Sequence, residues 1–135
     1  MMGRGLPGWD CVKYVHGAGF PARVRTHNPA VVAWTERTGW ELDLYLLCFC
    51  NLFARGGEVF LSADHEAACR AIQSVDKPVP AVKVMAARRN GPREAISYPL
   101  GYIKCQDATV AGFCTKDHAH QVFDTVALAE EALAC

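Results

Sequence analysis

The chain has 135 residues, enough for one domain and too few for two well-filled cores. Hydrophobic residues make up 51% and charged residues 21% of it, which excludes a disordered tail. Fourteen Lys and Arg balance fourteen Asp and Glu, so there is no excess cation charge to hold nucleic acid or anionic lipid, and no nucleic-acid partner is expected.

Residues 1–8 lack the apolar core of a secretion signal and read as a flexible N-terminus. The longest apolar run, Leu42 to Phe53, is about twelve residues where a bilayer needs roughly twenty, so no membrane partner is expected. These features predict a soluble, cytoplasmic protein. A generous apolar share for a small domain predicts a homodimer that hides part of it.

In chain order, Asp10 to His16 and Ala22 to Thr26 read as strands. Asn28-Pro29 opens a helix, with Asn as N-cap and Pro at the first helical position, and Gly39 ends it. From Trp40 to Cys50 apolar and polar residues alternate, which predicts a strand, although the acids at its start and Arg55-Gly56-Gly57 after it also suit a helix. Glu58 to Leu61 is a predicted strand feeding a helix from Asp64 to Val75, where Ala68, Ile72 and Val75 share a face. Val79 to Ala86 and Leu100 to Gln106 read as strands around an irregular connection that contains Pro92 and Pro99. Thr109 to Cys114 is a last strand. The final helix, His118 to Ala134, carries Val122, Val126, Ala129 and Leu133 as one apolar seam.

These elements predict a single α+β domain over residues 1–135, its sheet mostly antiparallel or mixed and packed by about three helices in ββα-type units.

One local pattern recurs. The junctions Val24-Arg25-Thr26-His27-Asn28, Phe60-Leu61-Ser62-Ala63-Asp64 and Phe113-Cys114-Thr115-Lys116-Asp117 each place Ser or Thr two residues before Asn or Asp. Asn or Asp caps the orphan N–H groups of a helix, and the hydroxyl closes a side-chain turn. Three such corners entering helices from a sheet would ring a shared interior.

Candidate chemistry gathers near those corners. His65 and His118 stand beside Asp64 and Asp117, within reach of acid–base roles. No His or Cys spacing matches a metal site, so none is expected. The seven cysteines are irregularly spaced and odd in number, which predicts thiols that serve as small hydrophobes and not a disulfide framework. Lys83, Arg88, Arg89 and Arg93 surround Asn90-Gly91-Pro92, a cationic loop without interleaved aromatics. Trp34, Trp40, Tyr45, Tyr98 and Tyr102 are candidates to line a pocket for a planar ligand.

Tyr14-Val15-His16-Gly17, Val59-Phe60-Leu61-Ser62-Ala63-Asp64 with Ala67-Ala68, and Arg93-Glu94-Ala95-Ile96 before Gly101-Tyr102-Ile103 resemble segments of the ADP-ribosyltransferases. The resemblance implies NAD as cosubstrate, His16 on the nicotinamide ribose, Ser62 supporting the site and Glu94 as the catalytic carboxylate. It covers about thirty scattered residues and departs from the family pattern at Val15, at Ala18 and at Pro92, two positions before Glu94.

Three readings therefore stand. The first is a small-molecule-binding domain with an aromatic-lined pocket at the strand-to-helix junctions. The second is an NAD-dependent transferase, and the third a protein-interaction module of the immunity or adaptor kind. The residues name neither a cofactor nor a substrate.

Overall fold

A computed structural model describes residues 8–49, 62–85 and 91–134. Among them are five helices and one four-stranded sheet: α1 (Gly8–Gly17), β1 (Arg23–Thr26), α2 (Pro29–Arg37), β2 (Leu44–Cys48), α3 (Ser62–Gln73), β3 (Ala81–Val82), α4 (Pro92–Leu100), β4 (Thr109–Val110) and α5 (Gln121–Leu133). The strands lie in the order β1-β2-β3-β4, and every pairing is parallel. This corrects the expected α+β domain with an antiparallel or mixed sheet: the architecture is α/β, and each strand is followed by a helix. Parallel neighbours need a crossover, and here α2, the segment containing α3, and α4 supply it.

Two predicted strands are not strands. Asp10 to His16 forms α1, with Asp10 in its first turn, His16 in its last, and Val12 buried. The Asp10 charge suits the helix dipole. Leu100 to Gln106 is not a strand either, because α4 runs up to Leu100 and turns follow it. Pro92 and Pro99 had suggested an irregular segment, but Pro92 occupies the helix start, where no N–H is needed, and Pro99 falls in the last turn. The predicted strand at Glu58–Leu61, the residues Arg88 and Arg89, and residues 1–7 of the expected flexible N-terminus 1–8 lie outside the described residues, while Gly8 opens α1.

Other elements follow the sequence closely. Asn28 Oδ1 accepts from the Ala30 N–H at 3.0 Å, and the Asn28 N–H donates to Thr26 Oγ1 at 3.0 Å, so the first junction is the double turn its residues specify. Replacing Asn28 by Ala is expected to lower stability by about 1 kcal/mol in a urea titration. At the third junction Asp117 is not the N-cap; α5 starts only at Gln121, behind His120.

The core lies between the sheet and its connecting helices. Tyr45, Leu47 and Phe49 are fully buried, and their common parity puts them on one face of β2. Against that face stand α2, whose Thr35 Oγ1 is 2.8 Å from the Tyr45 hydroxyl, and α3, whose His65 ring meets Phe49 edge-on at 5.4 Å. Tyr98 of α4 stacks on His65 at 5.1 Å, so α4 belongs to the same layer. The α5 seam is different: Val122 and Val126 are 38% and 51% exposed and, with Ala129, line an open cavity against Ile96 and Leu100 of α4 and Thr109 of β4, while Leu133 is 68% exposed. Leu128 and Ala129 are the α5 residues packed inward.

Pro78 and Pro80 lead into β3 and act as acceptors, taking the Tyr45 and Leu47 N–H groups on their carbonyls. A proline cannot return a donor, so on this side the ladder runs one way.

Candidate functional site

A parallel sheet has two unlike edges. Chain enters every strand at one edge and leaves for a helix at the other.

The entry edge is tied down by two carboxylates. Asp43, just before β2, accepts the Ala22 N–H at 2.6 Å and lies 2.8 Å from His16 Nε2. The His16 hydrogen bond and then the Ala22 N–H hold the Asp43 carboxyl below its usual range. Asp107, just before β4, has a fully buried side chain. It accepts the Val79 N–H at 2.8 Å, the Lys104 N–H at 2.7 Å and Lys104 Nζ at 2.9 Å. Lys104 Nζ also donates to the Ile72 carbonyl at 2.7 Å, at the C-terminal end of α3. This edge is structural.

The exit edge carries the groups suited to a ligand. His27 directly follows β1, and Lys83 directly follows β3. Lys83 has φ 59°, in the left-handed region that costs a side-chain-bearing residue about 1 kcal/mol. Backbone strain of this kind collects at functional positions. By the period of two, Arg23, Arg25 and His27 share the face of β1 turned away from the helices. Asp64 and Glu94, in the first turns of α3 and α4, face the same edge. Their charges act on His65, but burial dominates and pushes its pKa down, so its ring is neutral at physiological pH.

The predicted pocket residues fall into separate groups. Trp34 and Trp40 meet edge-on at 5.4 Å near the end of α2. Tyr45 is sealed beneath α2, where burial and a hydrogen bond to Glu36 push its pKa up to about 12. Burial raises the Glu36 carboxyl, yet hydrogen bonds from Lys77 and Tyr45 outweigh it and leave the pKa lowered. His65, Tyr98 and Tyr102 do come together, as a stack between α3 and α4, with Tyr98 and Tyr102 4.9 Å apart. Cys69 packs there, its thiol pushed up by burial and therefore protonated. His118 is exposed in the turn before α5, apart from the stack.

The three residues implied by the ADP-ribosyltransferase resemblance do not converge. His16 is at the entry edge, while Ser62 opens α3 and Glu94 lies in the first turn of α4, both at the exit edge. The full length of β2 separates the two.

Among the described residues no group of three or more His, Cys, Asp or Glu is placed to hold a metal, and no helix is long and apolar enough to cross a membrane. Cys48 and Cys69 are buried thiols, as a hydrophobic role requires, whereas Cys11, Cys105 and Cys114 are exposed. His27 went unmarked as a site residue, and Lys83 was noted only as part of the cationic loop; their value comes from the strand ends they occupy. No family model matches the chain, and no curated protein or solved structure is significantly similar to it.

Proposed function

We propose that the chain is a ligand-binding α/β domain that takes a small anionic organic molecule at the exit edge of its sheet. The observation that carries this reading is the placement of His27 and Lys83 on the outgoing ends of two parallel strands, with Arg25 on the same face as His27. Open parallel sheets bind ligands outside the carboxyl ends of their strands. Cations and the N-terminal ends of α2, α3 and α4 at that edge favour a carboxylate or phosphate group. The His65–Tyr98–Tyr102 stack stiffens the helices behind the edge and does not itself form the pocket.

Thermal-shift titration with inorganic phosphate, ribose 5-phosphate and succinate tests the proposal. A saturable rise in Tm is expected for at least one probe, since ligand that binds the folded chain stabilises it. Lys83→Gly separates binding from folding. It relieves the left-handed backbone, so stability is expected to rise by about 1 kcal/mol while the ligand-induced shift disappears. A ligand shift of undiminished size in Lys83→Gly, or no shift with any probe, would sink the reading.

The NAD-transferase reading draws no support from the positions of His16 and Glu94.

A further inference from the structure

The open cavity between α4, β4 and α5 has a volume of about 380 Å³, inside the range of about 300–1,000 Å³ that small-molecule sites occupy. The sequence makes its walls apolar. Ile96 and Leu100 lie one turn apart on α4, and Val122, Thr125, Val126 and Ala129 share a face of α5 through spacings of three and four. β4 is the last strand of the sheet, and Val110, Ala111 and Phe113 at its end close the third side. The ion pair of Arg93 with Glu131, 2.8 Å apart, ties α4 to α5.

Two features set the chemistry of an occupant. None of the described residues that line the cavity is charged, so a charged group entering it would lose water without gaining a counter-ion. The occupant is therefore uncharged, unlike the anion expected at the exit edge. The polar side chains of the lining are Thr109 on β4 and Thr125 on α5. Thr109 Oγ1 is buried and has no hydrogen-bond partner among the described residues. Folded chains rarely leave a buried hydroxyl in that condition. Rotation about χ1 exchanges the hydroxyl with the methyl of the same side chain, and so offers it to a polar group lodged in the cavity. Size follows from volume. An apolar cavity of about 150 Å³ holds benzene, so this one accepts a molecule of about two rings.

We infer that this cavity is a binding site for an uncharged, mainly apolar molecule of that size, carrying one hydroxyl or comparable hydrogen-bonding group. Its apolar body lies against Leu100, Phe113 and Val126, and its polar group meets Thr109 or Thr125. Val110 and Phe113, exposed at the cavity wall, are then covered by the ligand. The site shares no residue with the anion site at the exit edge and does not depend on it.

Calorimetric titration of the whole chain with 2-naphthol and with naphthalene tests this. Both probes are expected to bind the wild type saturably. Val126→Trp puts a large ring into the cavity from a position the chain already exposes, and is expected to weaken both probes by about tenfold or more. Thr109→Val and Thr125→Val each keep the side-chain shape and remove a hydroxyl. One of the two is expected to weaken 2-naphthol about fivefold while leaving naphthalene within about twofold of the wild type. Failure of both probes to bind, binding that Val126→Trp leaves unchanged, or threonine variants that affect the two probes alike, overturns the inference. An apparent affinity that falls as the protein is concentrated would give the cavity to a second copy of the chain, and overturns it as well.

Discussion

Asp107→Ala is expected to lower stability by about 3–5 kcal/mol, the largest effect of a single polar substitution among the described residues. The carboxylate is fully buried and accepts from two backbone N–H groups and one ammonium. Its removal leaves the Val79 and Lys104 N–H groups without an acceptor in the interior. Lys104 keeps its bond to the Ile72 carbonyl but loses its counter-charge. Asp107→Asn retains an acceptor oxygen and is expected to recover about half of the loss. Urea unfolding of both variants at pH 7 measures the difference, and a loss below about 1 kcal/mol for Asp107→Ala would show that the entry edge holds without this anchor.

The second large effect is expected at Leu47. Leu47→Ala removes a fully buried side chain from the centre of the sheet face under the helices, and should cost about 2–5 kcal/mol. Its neighbour Leu46 points to the other face and is only partly buried. Leu46→Ala is therefore expected to cost less than half as much. Equal losses at the two positions would mean that the two faces of β2 are equally covered.

Local chemistry was legible in the sequence and global direction was not. Asn28-Pro29 specified the start of α2, and Ala68 with Ile72 specified the buried face of α3. Alternation from Trp40 onward gave the strand, although its regular part covers Leu44–Cys48 alone. Parallel pairing escaped because β3 and β4 contribute two paired residues each, too few to show the continuous apolar runs of a parallel sheet. Pro92 misled because a proline that starts a helix looks the same in sequence as one that breaks it. The α5 stripe was read without a partner, since periodicity reports that a face is apolar and never what it touches.

The same limit governed the candidate site. Tyr98 and Tyr102 were expected in one pocket with Trp34, Trp40 and Tyr45, and His65 beside His118; the structure instead stacks His65 with Tyr98 and Tyr102 and leaves the others apart. The placement of that stack inside the helical layer, and the placement of His27 and Lys83 at strand ends, follow from the order of strands in space. That order is set by crossovers tens of residues long, which no short motif encodes.

Pro78 and Pro80 have a consequence for how the molecule assembles. Two residues without an N–H among three leave the approach to β3 able to accept from β2 at Tyr45 and Leu47 but unable to donate at positions 78 and 80. Any shifted pairing that called on a donor at either position would go without that bond.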